Sequence, residues 1–176
     1  EGLRAADIGT GSGAIALSLA SEGACFAAVV GTDVSGEALQ VARENLARVS
    51  PAVPVELRRG AALQPLHGDR FDVIVSNPPY IGEGEADELE PEVVRWEPSA
   101  ALFSGADGLD VIRQLVDGAA ECLRPGGLLA LEIGAGQGEA VLALIESRGG
   151  YCKAELKQDL AGRDRFVLAE TASADN

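Results

Sequence analysis

The first apolar run, Leu3 to Ile8, gives way at once to Gly9-Thr10-Gly11-Ser12-Gly13 and then to a helical stretch, Ala14 to Ser21, with Ile15 and Leu19 four apart. Three glycines in five residues allow a turn sharper than L side chains tolerate, because glycine adopts positive φ without a steric penalty. A strand that feeds a helix through so short a turn commits the chain to a strand–helix–strand unit. The right-handed crossover then returns the next strand parallel to the first.

The same alternation continues downstream. Ala27 to Val34 predicts a second strand, and Ser35 caps a helix carrying Glu37 in its first turn. Leu39, Ala42, Leu46 and Val49 recur at helical spacing until Ser50-Pro51 breaks the element. Val53 to Leu57 and Phe71 to Ser76 predict the third and fourth strands. Leu109, Ile112, Val116, Ala119 and Leu123 predict a helix that stops at Pro125-Gly126-Gly127. A fifth strand follows over Leu128 to Ile133, then a helix lined by Val141, Leu144 and Ile145. Tyr151 to Lys157 and Arg165 to Ala169 predict two closing strands joined by a polar turn, a hairpin that adds one antiparallel strand. The expected fold is α/β: a Rossmann-like, doubly wound sheet of seven mostly parallel strands with one antiparallel strand near the C-terminus. Residues 1–170 form the expected domain and 171–176 a frayed tail. The long, acidic, poorly periodic stretch 82–105 has the length of a functional loop.

Composition bounds the function. The 176 residues carry 47% hydrophobic side chains, enough for one globular core, and no apolar stretch approaches a membrane span. A net charge of −14 argues against a large phosphate-binding surface, so neither nucleic acid nor membrane is an expected partner. The acid run Glu83, Glu85, Asp87, Glu88, Glu90 and Glu92 reads as a solvated loop. Cys25, Cys122 and Cys152 lack metal-ligand spacing and read as buried thiols of a reducing cytoplasm. The lone His67 lies in a polar loop and receives no catalytic role. The chain enters its first strand so abruptly that an upstream segment is expected.

The glycine turn carries chemistry as well as topology. It lets a ligand approach the helix N-terminus without a Cβ clash. Asp33 ends the second strand twenty residues past Gly13, where a carboxylate accepts from ribose hydroxyls. Together they predict an adenosine-containing cofactor. Gly9-x-Gly11-x-x-Ala14 also satisfies a dinucleotide fingerprint, so a nicotinamide dehydrogenase competes. Asp7 favours a cationic cofactor over a dinucleotide, because its carboxylate at the mouth of the turn would repel a diphosphate. S-adenosylmethionine brings an ammonium and a sulfonium with no phosphate.

Directly after the fourth strand stands Asn77-Pro78-Pro79-Tyr80. Two prolines end the strand and hold the turn extended. At a strand's carboxyl end, in an open α/β sheet, that turn presents a planar amide suited to grip another amide or an amine.

With Asp7–Gly13, Asp33 and Asn77–Tyr80 in this order, the chain resembles the class I S-adenosylmethionine-dependent methyltransferases that modify planar nitrogens. Trp96–Leu102, Gly105–Asp110, Glu132-Ile133-Gly134 with Gln137, and Asp159–Arg165 narrow the resemblance to the HemK-type enzymes, the peptide chain release factor glutamine methyltransferases. It spans residues 3–169. It implies methyl transfer to the side-chain amide nitrogen of glutamine in the Gly-Gly-Gln loop of a release factor, in the cytoplasm. Asn77 Oδ1 and the Pro78 carbonyl would accept the two amide hydrogens, Pro79 would keep the turn rigid, and Tyr80 would pack on the amide plane. Asp7, Gly9, Thr10, Gly11, Ser12 and Gly13 would hold the methionine part of the cofactor, Asp33 with Val34 the ribose side, and Asn77 would border the cofactor as well as the substrate. Such enzymes often set an acidic residue for adenine after the third strand, where this chain reads Gly60-Ala61-Ala62; Ala61 and Ala62 would then bind adenine through backbone groups. The family also carries an amino-terminal helical domain that is not in this chain. Competing readings are a nucleic-acid amino methyltransferase, a methyltransferase acting on a different protein glutamine, and a non-catalytic module that merely binds the cofactor.

Overall fold

In the computed structural model, which describes residues 2–22, 25–84 and 102–174, the strands form one sheet. They are β1 (Leu3–Ile8), β2 (Phe26–Asp33), β3 (Val55–Arg59), β4 (Phe71–Ser76), β5 (Leu123–Glu132), β6 (Tyr151–Gln158) and β7 (Asp164–Thr171), in the spatial order β3-β2-β1-β4-β5-β7-β6. Pairing is parallel from β3 through β5, and β7 runs antiparallel to both β5 and β6. This is the expected seven-stranded sheet with one antiparallel strand. The α-helices among the described residues are α1 (Ala14–Glu22), α2 (Gly36–Val49), α3 (Asp110–Cys122) and α4 (Gly138–Arg148). None of them is long and apolar enough to cross a membrane.

The two faces of the sheet bury different side chains. Under α1 the contacts are small, among Ala5, Ala16, Ala20 and Val29, so the helix lies close to the sheet. On the other face Ile74, Leu129, Leu131 and Ile133 pack against Ile112, Leu115 and Val116 of α3 and Val141 of α4. Each such aliphatic side chain contributes about 1.5–3 kcal/mol on burial. α2 begins as expected at Ser35, whose hydroxyl accepts from the Ala38 N–H at 3.1 Å, and ends at Ser50 in the left-handed conformation, φ 46°.

Several boundaries differ from the sequence reading. Strand β2 lies one residue earlier than predicted and β3 two later. Helix α3 stops at Cys122, and β5 starts at Leu123 and runs through Pro125-Gly126-Gly127. Those residues act as a bulge: the pairing with β4 jumps from Phe71↔Leu123 to Val73↔Leu128, and Gly126 takes φ 75°. Of the three cysteines only Cys122, at the end of α3, is buried; Cys25, in the turn before β2, and Cys152, on the edge strand β6, are exposed. Thr171 belongs to β7 and not to a frayed tail. It is buried, and its hydroxyl bridges the Gly127 N–H and the Arg124 carbonyl at 2.9 and 2.8 Å.

The acidic segment falls mostly outside the described residues, as does Trp96–Ala101. Its two described ends are sewn together. Ile81 pairs with Phe103, the Ile81 N–H donates to Leu102 at 3.0 Å, Ser104 donates back to Ile81 at 3.0 Å, and Glu83 donates to Gly105 at 3.0 Å.

Candidate active site

The chain turns away from β1 in one direction and from β4 in the other, so the sheet has its switch point between these neighbours. Open α/β sheets bind ligands in the crevice at that point. Ile8 and Ser76 are in register at its lip, and the Ser76 hydroxyl donates to the Ile8 carbonyl at 2.7 Å, buried. Gly9 and Asn77 therefore leave the sheet side by side. The glycine turn and the Asn-Pro-Pro-Tyr turn, nearly seventy residues apart in sequence, share one crevice.

The turn after β1 is held by its neighbours. Thr10 N–H donates to Thr32 and Gly13 N–H to Thr10, each at 2.8 Å. Gly9 and Gly11 adopt φ 70° and 55°, and a Cβ at either would meet nothing within 4 Å. These glycines are required by backbone conformation, and what lies beyond them is open space. Beneath them Asp7 is fully buried. Its Oδ2 accepts from the Thr10 hydroxyl at 2.6 Å and from the Ala16 N–H at 3.0 Å, while Oδ1 has no partner. Burial pushes the carboxyl from 3.8 up to about 6; the two hydrogen bonds oppose the shift and the charge of Asp33 adds to it. A buried acceptor oxygen without a donor is costly unless something cationic or protic meets it. The turn and its orphaned oxygen thus fit the ammonium of a bound amino acid moiety and disfavour a diphosphate.

Asp33 joins the turn to the second crossover. Its Oδ2 accepts from Gly11 N–H at 2.9 Å and its Oδ1 from Ser35 N–H at 2.8 Å, while its carbonyl takes the Gly60 N–H at 3.0 Å. That last bond draws Gly60-Ala61-Ala62 to the same crevice. Ala61 is exposed, and Ala62 sits at φ 44°, a region that costs a non-glycine residue of order 1 kcal/mol. Val34 is 63% exposed, an apolar surface beside the ribose-type carboxylate.

Across the crevice Asn77 is exposed, with its amide unengaged by any described residue; Pro78 is buried, Pro79 and Tyr80 half-buried. Tyr80 is gripped at both ends. Gln137 Nε2 donates to its carbonyl at 2.8 Å, and an Arg165 guanidinium nitrogen donates to its phenol oxygen at 3.4 Å and to the Ile133 carbonyl at 3.2 Å. The Arg165 guanidinium also stands 6.0 Å from the centre of the Tyr80 ring. Gln137 Nε2 reaches the Asp107 carbonyl at 3.3 Å, and its Oε1 accepts the Gly134 N–H at 2.9 Å. Gly105–Asp110, Glu132–Gln137 and Asp159–Arg165 carried only a resemblance in the sequence; here they meet on one tyrosine. Gln137, Arg165 and Ser76 had no local signal to mark them, because their partners lie 57, 85 and 68 residues away.

Comparison with known proteins agrees with this geometry. A release factor glutamine methyltransferase of Moorella thermoacetica is 51% identical over 169 residues, covering 96% of this chain and 59% of that protein. One from Cereibacter sphaeroides is 46% identical over 168 residues with the same coverage. The chain thus spans about three-fifths of the length of the curated relatives it matches. Among solved structures a methyltransferase from Pyrococcus furiosus superposes with a TM-score of 0.68 at 25% identity, over 97% of this chain and 76% of that one. TrmN from Thermus thermophilus, at 24% identity and a TM-score of 0.65 over 97% of this chain and 44% of that one, shares the fold. The model of the methyltransferase small domain matches residues 1–95, from the first strand through the glycine turn to Asn77–Tyr80 and beyond, and the chain belongs to that family.

Proposed function

We propose that this chain transfers a methyl group from S-adenosylmethionine to the side-chain amide nitrogen of a glutamine, the one in the Gly-Gly-Gln loop of a peptide chain release factor. One observation supports the reading: the buried Ser76–Ile8 bond brings the start of the Asn77–Tyr80 turn alongside the start of the glycine turn, and the exposed Asn77 amide has no partner among the described residues. The names of the curated relatives supply the substrate.

An amide nitrogen is a poor nucleophile because its lone pair is delocalised into the carbonyl. The chain's task is to orient that nitrogen and to stabilise the positive charge that develops on it. Asn77 Oδ1 and the Pro78 carbonyl accept its two hydrogens, which fixes the plane of the substrate amide. Pro79 contributes no N–H and keeps the turn extended, and Tyr80 lays its ring along the amide plane. S-adenosylmethionine, when bound, would supply an electrophilic methyl on its sulfonium, and the amide nitrogen so oriented would lose its surplus proton to water. Asp7 would hold the ammonium, Gly9–Gly13 the methionine backbone and Asp33 the ribose hydroxyls, with Val34, Ala61 and Ala62 bordering the adenine.

The test uses radiolabelled S-adenosylmethionine with a release factor, beside the same factor with the loop glutamine changed to alanine. Label on the first and none on the second is expected. Equal label on both, or label on added RNA or DNA, overturns the assignment.

A further inference from the structure

We propose that Gln137 is a positioning residue for the amide grip, acting through the main chain of Tyr80; the proposal rests on the function just given. Pro78 and Pro79 have no N–H, so the turn that carries the grip cannot brace itself. Its entry is fixed by the Ser76–Ile8 bond and its exit by Ile81 and Leu102. Among the described residues, the main chain from Pro78 to Tyr80 takes a single hydrogen bond, the one from Gln137 to the Tyr80 carbonyl at 2.8 Å.

The Gln137 side chain is fully engaged in reaching it. One amide hydrogen goes to Tyr80, the other to Asp107 at 3.3 Å, and the oxygen takes the Gly134 N–H at 2.9 Å. Three separate backbone segments thus converge on one planar group. The surroundings are shaped for it. Gly108 sits at φ 75°, and a Cβ there would collide with the Tyr80 carbonyl and lie 2.7 Å from Gln137 Nε2. A Cβ on Gly134 would lie 3.0 Å from Gln137 Oε1 and 3.5 Å from the Tyr80 ring. Two residues without side chains flank the contact, and both would crowd it if they had them. Gln137 also stands at the N-terminus of α4, where its carbonyl accepts from Val141 at 3.0 Å, so a purely structural role is the competing account.

Two variants separate the accounts. Gln137→Met keeps length and volume but removes every hydrogen bond. Gln137→Glu puts a carboxylate against two carbonyl oxygens, yet its protonated form can again donate to Tyr80 while accepting from Gly134. Methyl transfer to the release factor is measured between pH 5 and 8 as a ratio to wild type, together with binding of S-adenosylhomocysteine. Both variants are expected to lose kcat by about tenfold or more near pH 8 while binding of the cofactor product stays within about twofold. Gln137→Glu should recover toward wild type as the pH falls, and Gln137→Met should not. A kcat within about threefold of wild type for Gln137→Met, or the same pH-independent loss in both, overturns the proposal. Equal label on the factor lacking the loop glutamine, or label on RNA or DNA, would instead sink the function. Hydrogen exchange then still decides on Gln137. Faster exchange at Ile81 in Gln137→Met, with β4 unchanged, supports it, and identical exchange at Ile81 overturns it.

Discussion

Replacing Asp7 by Asn should make the empty protein more stable as the pH rises, although the residue lies in the site. Asp7 is fully buried, one oxygen is unpartnered, and its carboxyl is pushed from 3.8 up to about 6. A carboxyl that ionises later in the folded chain than in the unfolded chain opposes folding once it is charged. Below pH 4 it is protonated in both states and contributes nothing. Between pH 4 and pH 6 the unfolded chain sheds the proton more readily, and above pH 6 the full penalty applies. The interval from 3.8 to about 6, at 1.36 kcal/mol per pH unit, amounts to about 3 kcal/mol. Other carboxyls, such as Asp69 beside Arg58 and Glu155 between two lysines, are shifted downward and contribute the opposite slope. They cancel when wild type and variant are compared at the same pH. Urea denaturation of both proteins from pH 4 to 7.5 should give a stability difference that moves in favour of Asp7→Asn by about 3 kcal/mol. Any constant cost of the amide, such as an unpaired N–H, offsets the whole curve without changing its slope. A difference that stays flat to within about 0.5 kcal/mol over that range would refute the reasoning. The same variant should bind S-adenosylhomocysteine more weakly at pH 7.5, because the ammonium loses its anionic partner.

Asn77→Ala should abolish methyl transfer and leave S-adenosylhomocysteine affinity within about threefold, as read by calorimetry; activity close to wild type would show that the amide grip is wrong. Ala61→Asp restores a carboxylate where Gly60-Ala61-Ala62 offers none, and should tighten binding of an adenosine cofactor by about tenfold, the worth of one hydrogen bond to a charged acceptor. The inosine counterpart, which lacks the amino group, should gain nothing, and equal gains for both would place adenine elsewhere. Leu129→Ala empties a fully buried site between the sheet and α3, and should lower unfolding free energy by about 3–5 kcal/mol in denaturant titration. A loss below about 1 kcal/mol would mean that this layer collapses around the cavity.

The fold was legible where sequence pattern and local chemistry coincide. Phe71–Ser76 is an apolar run closed by two prolines, and β4 begins and ends where that pattern does. Ser35 with Glu37 marks the start of α2 for the same reason. Pro125-Gly126-Gly127 misled, because proline and glycine read as breakers in a one-dimensional pattern, yet a bulge beside β4 absorbs them and the strand continues. The exposure of Cys25 was likewise invisible, since apolar neighbours in sequence do not say which face is covered, and Cys152 is exposed as well. At the site, the glycine turn and Asn77–Tyr80 were each readable from local geometry. The Ser76–Ile8 bond that unites them, and the two grips on Tyr80, depend on side chains brought together only by the strand order.

The stitching of residues 81–83 to 102–105 makes the segment between them a removable part. Its ends are already closed by backbone bonds, so doubling its length would add only about 0.6 kcal/mol of closure entropy. The two closing bridges thus set the entry and exit of that segment independently of how long it is.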